Sequence, residues 1–307
     1  MRSRSLYNRV QNTASWCKSN TFFPDFSFPA SCGGWTPPPR WFTIKKTNPH
    51  HDSHGERMSD TGKNKLGVIV DTVRENDDTT SIFFRPEDDE RFKAFRPGQF
   101  ASIRVMTEEG WSEPHPFTIS GAPGDTLRMT IKRNGRFTGE IIPALKAGVP
   151  IQCAGPFGAF CRDIEGEEQI VFVAGGVGIT PFLSVLRHFR NTDAANSIVL
   201  FWCNKTYADA FAAQELEEIA DTIDLTVVHV LSREHKPDLY EEEDKPRIRF
   251  EKGHFSRHML ERHIRSTTAS FYLCGPGPMQ EHVLDEMAAY GIDPAGVNKE
   301  QFVFTGK

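Results

Sequence analysis

No two cysteines in this chain have the Cys-x-x-Cys spacing, although there are six: Cys17, Cys32, Cys153, Cys161, Cys203 and Cys274. Structural zinc sites and iron–sulfur clusters depend on close ligand spacing, so neither is expected within the chain. Scattered cysteines with apolar neighbours suit a reducing cytosol better than a disulfide framework. Charge imbalance is also small. A net charge of -5 gives no electrostatic case for nucleic acid or for an anionic membrane surface. Long apolar runs are missing too. The longest uncharged stretch, Ile170 to Leu186, is interrupted by three glycines, a proline, a serine and a threonine. A spanning helix wants roughly 20 mostly apolar residues. The stretch reads as a buried strand, a tight turn and a buried helix, and the chain as soluble and cytoplasmic.

Residues 1–62 lack any sustained period of 2 or 3.6, and Asp25 is their one acidic residue before Asp52. They hold Pro24, Pro29, Pro37, Pro38 and Pro39 and three of the five tryptophans. Two readings stay open. Arg2, Ser3, Arg4, Ser5 and Arg9 fit an organellar transit peptide. Alternatively, translation starts at Met58, because the codons for Gly55-Glu56 can contain a bacterial ribosome-binding sequence. Either way this segment is expected to be a disordered tail or a non-native extension. His50, His51 and His54 read as chance clustering, and no metal is expected.

The remaining 245 or so residues suggest two domains, at 63–162 and 168–307. Leu66–Val73, Thr80–Arg85, Gln99–Met106, Pro116–Ser120, Leu127–Lys132 and Val149–Ala154 are short runs rich in β-branched and aromatic residues. Turn signals such as Pro97-Gly98 and Asn134-Gly135 punctuate them. Six such strands predict an antiparallel β-barrel. After the charged linker Asp163–Glu168 the pattern changes. Strands at Gln169–Ala174, Ser197–Cys203, Leu225–Leu231 and Ser270–Cys274 alternate with helical patterns at Pro181–Arg190, Ala208–Ala220, Ser256–Ile264 and Pro278–Tyr290. Alternation of this kind predicts an α/β, doubly wound parallel sheet, with ligands at the carboxyl ends of its strands.

One such end carries Gly175-Gly176-Val177-Gly178-Ile179-Thr180-Pro181, between an apolar strand and a helix. Glycines there let backbone N–H groups approach a pyrophosphate at the positive end of the helix dipole. Pro181 suits the first helical turn, where its missing N–H costs nothing. Four further pieces follow the same logic of strand ends and turns. They are His115-Pro116-Phe117-Thr118-Ile119-Ser120, Gly135-Arg136-Phe137-Thr138, Gly155-Pro156-Phe157-Gly158 and Cys274-Gly275-Pro276-Gly277-Pro278-Met279. Glu300-Gln301-Phe302 lies near the C-terminus.

In this order the set resembles the ferredoxin–NADP reductase superfamily, over about residue 65 to 307. The His-Pro-Phe-Thr form looks most like the flavin domains of ferric reductases and NADPH oxidases. The resemblance implies an FAD-binding barrel followed by an NAD(P)-binding domain. It implies that Phe117 packs on the flavin and Thr118 hydrogen-bonds near its N5, with Pro116 and Ser120 in the same binding segment. His115 stands where many members carry a phosphate-binding arginine. Lys132 and the backbone around Gly135, Phe137 and Thr138 could supply the missing charge and donors. Cys274 is implied to lie beside the nicotinamide C4, shaping the pocket and not acting as a nucleophile, with Gly275, Pro276 and Met279 around it. Glu300 is implied near the same atoms, and Phe302 over the flavin face. For Lys132, Cys274 and Phe302 a purely structural role stays open.

Ser232-Arg233 follows the third parallel strand and Lys205 the second. Two cations there can accommodate a 2′-phosphate, whereas Glu234 and the run Glu241–Asp244 would repel it. NADPH is expected over NADH as the co-substrate. The activity expected is a flavin-dependent NAD(P)H reductase of the ferredoxin–NADP reductase type. It passes electrons to a separate acceptor, either ferredoxin- or flavodoxin-like or a haem partner. A free-flavin or ferric-chelate reductase is the alternative within enzymes. A non-catalytic nucleotide-sensing or partner-binding flavoprotein module is the alternative outside them.

Overall fold

Alternation of apolar and polar side chains organises the first half of the chain into an antiparallel sheet that curls around one core. The computed structural model describes residues 64–302 except 88, 89 and 125. Seven strands form this sheet: β1 (Lys65–Arg74), β2 (Thr79–Pro86), β3 (Phe100–Thr107), β4 (Gly110–Trp111), β5 (His115–Thr118), β6 (Leu127–Lys132) and β7 (Pro150–Phe157). Their order is β4-β3-β7-β1-β2-β6, with β5 also paired to β3. Ala101, Ile103 and Val105 of β3 and Leu127, Met129 and Ile131 of β6 point inward at every second position. The chain just beyond β5 meets β6, because the Ser120 N–H donates to the Arg128 carbonyl at 2.8 Å. That contact closes the barrel.

Two short helices, α1 (Glu90–Lys93) and α2 (Ile142–Ala144), lie between barrel strands. A π-helical turn, Phe137–Ile141, leads into α2. The sequence reading expected six strands and no helix there; β4 is two residues long and below the length any pattern can reveal.

The second half is a six-stranded parallel sheet built from β8 (Gln169–Gly175), β9 (Ser197–Asn204), β10 (Leu225–Leu231), β11 (Ile248–Lys252), β12 (Ser270–Cys274) and β13 (Asn298–Glu300). It is covered by α3 (Thr180–Thr192), α4 (Ala213–Ala220), α5 (Arg257–His263) and α6 (Gly277–Tyr290). Its inner strands β8, β9, β10 and β12 are apolar on both faces, as a sheet covered on both sides requires. In β8, Ile170, Phe172 and Ala174 join one core, and Val171 and Val173 join the other.

The strand order is β11-β10-β9-β8-β12-β13. The chain winds outward from β8 through β9 to β11, then crosses back to β12 on the other side. The boundary between β8 and β12 is therefore the topological switch point, where a crevice opens at the carboxyl ends.

In the parallel half three elements differ from expectation. Edge strands β11 and β13 were not anticipated. The helix expected from Ala208 begins at Ala213, because Thr206 and Asp209 cap a separate 3-10 turn, Tyr207–Asp209. His50, His51, His54 and the readings of residues 1–62 lie outside the described residues. Among the described residues no helix is long and apolar enough to cross a membrane.

Candidate active site

The switch point gathers three of the singled-out segments by backbone register alone. The Cα of Cys274 is paired with Ala174 on one side and with Glu300 on the other. The glycine turn that follows Ala174, the Cys274-Gly275-Pro276 turn and Glu300 thus share one sheet edge. Gln280 of α6 ties two of them together. Its buried side-chain amide donates to the Gly275 carbonyl at 2.9 Å and to the Glu300 carbonyl at 2.8 Å. Met279, one residue earlier, lies against Gly175. Partly buried Phe302 packs on the adjoining core.

Within the glycine turn two positions need glycine for different reasons. A Cβ on Gly178 would lie 2.4 Å from the Cys274 carbonyl oxygen, so the turn and β12 approach more closely than any side chain allows. Gly176 has φ +52°, and a Cβ there would meet nothing within 4 Å. One glycine closes the crevice floor and the other leaves space above it. The Gly176 carbonyl is held from behind by the Trp202 indole N–H at 2.9 Å. Thr180 caps the turn by donating to the Val177 carbonyl at 3.0 Å, and Ile179 is fully buried beneath it. Pro181 falls in the first turn of α3, as expected.

Cys274 is fully buried, and burial, then the charge of Glu300, then Cys161, push its thiol well above the ordinary cysteine range. It is a neutral thiol at neutral pH, suited to shaping a pocket and not to nucleophilic attack. Cys161, just past β7, feels burial and Glu300 in the same way.

On the barrel side the site is an aromatic stack. His115 and Phe137 lie face to face with ring centroids 3.7 Å apart, and Phe117 lies parallel to Phe137 at 6.2 Å. Burial holds the His115 imidazole below its ordinary pKa, against the pull of Glu113, so His115 is a neutral donor and not a cation at neutral pH. Pro116 pairs with Ser102 of β3, and Thr118 is buried opposite Phe100. Ser120 is fully buried, and its hydroxyl contacts Thr130 Oγ1 at 3.0 Å and the Arg128 carbonyl at 3.2 Å.

The suggested phosphate-facing groups are more occupied than the sequence implied. Lys132 pairs with Asp78 at 3.0 Å. Burial opposes ionisation of Asp78, yet Lys132, Thr79 and Arg133 together pull its carboxyl below the ordinary value. The Thr138 hydroxyl accepts from the Asn134 N–H at 2.6 Å and donates to the Asn134 carbonyl at 2.8 Å, closing the turn through Gly135.

At the ends of β9 and β10 the structure brings Lys205 and Arg233 together. The Arg233 N–H donates to the Lys205 carbonyl at 2.8 Å, and the Ser232 N–H to the Asn204 carbonyl at 3.1 Å. Both cationic side chains are exposed. The Glu234 carboxylate accepts from the Tyr207 N–H and the Tyr240 hydroxyl, both at 3.3 Å. Below them His229 is fully buried against Trp202, Tyr207 and Phe250. Its ring nitrogens have no hydrogen-bond partner among the described residues, and burial pushes its pKa down to about 4.

Sequence reasoning missed Gln280, Trp202 and Cys161. A glutamine on the first turn after Gly-Pro-Gly-Pro-Met was a usable signal; nothing local marked the other two.

An antiparallel barrel followed by a parallel sheet with a crevice at its switch point is a two-domain architecture, and the crevice lies where sheets of this kind hold a ligand. Residues 172–285 match the family model described as the oxidoreductase NAD-binding domain, and the chain has the fold of the ferredoxin–NADP reductase superfamily. It is 27% identical over 245 residues to a flavohemoprotein of Bacillus anthracis, covering 76% of this chain and 60% of that protein. The chain thus spans about 60% of the length of such curated relatives. Among solved structures, the flavohem-like FAD/NAD binding domain of nitric oxide dioxygenase from Vibrio cholerae superposes with a TM-score of 0.61 at 22% identity. It covers 78% of this chain and 98% of that one. A ferredoxin NADP+ reductase from Neisseria gonorrhoeae with bound FAD and NADP gives a TM-score of 0.61 at 15% identity, with the same shares.

Proposed function

We propose that this protein is an FAD-dependent NAD(P)H oxidoreductase that delivers electrons to a separate acceptor, a protein or a small molecule. The observation that carries the reading is the register at the switch point, which joins the glycine turn, Cys274 and Glu300 on one edge. In it the barrel, residues 63–162, holds FAD, and residues 168–307 bind the dinucleotide. The residues fit both groups. Gly176 leaves open space beside a helix N-terminus, which suits a pyrophosphate. The parallel rings of His115, Phe117 and Phe137 offer aromatic surface to a flat ring system. Bound FAD supplies a hydride acceptor that can pass electrons on singly.

The chain's own residues do the rest. Cys274 and Gly275 set the depth of the nicotinamide pocket, and Glu300 places a carboxylate at its wall. Thr118 offers a buried hydroxyl on the barrel side, and Phe302 screens the crevice from water. Lys205 and Arg233, joined at adjacent strand ends, favour the 2′-phosphate and hence NADPH. The His-Pro-Phe-Thr segment supports a kinship with ferric reductase and NADPH oxidase flavin domains. Cys153, Cys161, Cys203 and Cys274 are all free, in keeping with a reducing, cytoplasmic setting.

The test is direct. Purified protein should be yellow, release FAD on denaturation by chromatography, and bleach on rapid mixing with NADPH faster than with NADH. FMN, or no flavin, would overturn the reading.

A further inference from the structure

Helix α3 starts at the glycine turn and, along one face, reaches the barrel. Ser184 is fully buried, and its hydroxyl donates to the Gly121 carbonyl at 2.7 Å. Three residues on, and so on the same face, the Arg187 guanidinium donates to the Ser120 carbonyl. These two carbonyls lie at the last residue of the segment His115–Ser120 and at the residue after it. The other edge of Arg187 forms a bidentate pair with Glu215 of α4, at 2.7 and 2.6 Å. Glu215 is also 3.3 Å from Arg128 of β6, which in turn is 2.7 Å from Glu75. All four side chains are only 5–13% exposed. Burial works against the Glu215 charge, but Arg187 and Arg128 hold its pKa down to about 2, so the network stays ionised.

Alternating charges buried at the seam of two sheets are a poor choice for stability alone. Desolvation takes back most of the attraction, and an apolar seam of equal volume would hold as well. A planar fork on a carboxylate, however, accepts only one relative placement. What the network adds is register. Here register means the position of the flavin segment relative to the helix that carries the dinucleotide turn.

We propose that Arg187, Glu215 and Arg128, with Ser184, form a clasp that fixes the end of the His115–Ser120 segment against α3. Arg187 and Glu215 are then positioning residues for hydride transfer. This rests on the reading in the preceding section. A misplacement of about 1 Å between reacting groups can cost on the order of a hundredfold in rate.

The experiment compares wild type with Glu215→Gln and Arg187→Lys in two measurements. Arg187→Lys keeps the charge, loses the fork, and serves if Glu215→Gln fails to fold. The first measurement is hydrogen exchange on flavin-free protein. Residues 116–124 and 180–192 should exchange faster in the variants, with 100–107 and 225–231 unchanged. The second is flavin bleaching by NADPH after rapid mixing. It should slow by about tenfold or more, while FAD content and NADPH affinity stay within about threefold of wild type.

Unchanged exchange and unchanged bleaching would overturn the clasp. Uniform acceleration of exchange across both sheets would assign these residues a merely structural role, and would overturn it equally. A wild type that takes up no FAD, or is not bleached, would sink the functional reading and the hydride-transfer role with it. The exchange arm would still report whether the seam is clasped.

Discussion

The two halves of this molecule build their parts of the site by different means. In the parallel sheet the backbone does the work: register at the switch point delivers Ala174, Cys274 and Glu300 to one edge whatever their side chains are. In the barrel, side chains do it: the stack of His115, Phe117 and Phe137 exists because three rings happen to lie parallel. The halves also differ in cover. The sheet is packed on both faces, whereas β1 leaves Leu66, Val68, Val70 and Val73 on the outside of the barrel. A site set by topology keeps its residues in place through changes of side chain but not of backbone spacing, whereas a site set by stacking loses its placement when a ring is changed.

The largest expected effect tests the backbone-built half. Gly178→Val would force a side chain into the Cys274 carbonyl, 2.4 Å from where a Cβ must sit. It should cost on the order of 4 kcal/mol or more in a urea melt and abolish dinucleotide binding. Gly176→Ala meets no neighbour and should cost roughly 1–2 kcal/mol, the penalty of its positive φ. Equal losses at the two positions would break the distinction between floor and open space.

Next in size, Cys274→Ala should leave FAD content and NADPH affinity nearly intact while slowing flavin bleaching by roughly ten- to a thousandfold. If Cys274 only fills the core, the same change should lower stability by about 1 kcal/mol and leave bleaching untouched.

A third prediction concerns the interior of the sheet. Folded His229 titrates at about 4, below the ordinary 6.5. Between those values the unfolded chain binds a proton that the folded protein refuses. Stability present above pH 6.5 is therefore lost as pH falls toward 4, by about 3 kcal/mol from this one group. Replacement by phenylalanine should flatten that part of the stability–pH curve. An unaltered slope would place the titrating group elsewhere.

The smallest effect sharpens coenzyme choice. Arg233→Ala should weaken NADPH by about ten- to a hundredfold, the worth of a charge-assisted contact of roughly 1.5–3 kcal/mol, and leave NADH almost unchanged. Titration with both coenzymes decides it, and equal losses would move discrimination away from the Lys205–Arg233 pair.

What the sequence made legible follows the same division. The parallel strands β8, β9, β10 and β12 and their glycine turn were readable, because apolar runs and turn residues are local signals. Strand β11 was not read. Its alternation, Ile248 and Phe250 inward with Arg249 between, is short and follows an acidic run. The pairing of Lys132 with Asp78, across 54 residues, is a long-range fact with no local trace, and so is the Trp202 contact to Gly176. The Arg128–Glu215–Arg187 network was invisible for the same reason. Each of its members reads locally as an ordinary surface charge, and only the packing of barrel on helix makes it a seam.

The strand order also sets a timetable. β1 pairs with β7, joining Lys65 to Cys153, so the barrel stays open until its last strand has been made. Glu300, on β13, reaches its place beside Cys274 only when the final parallel strand docks. At a synthesis rate of about 5–20 residues per second, roughly seven to thirty seconds separate these two events on the ribosome. For that interval a nascent chain can hold a closed barrel beside an unfinished crevice. The barrel half is ready before the half that carries the crevice.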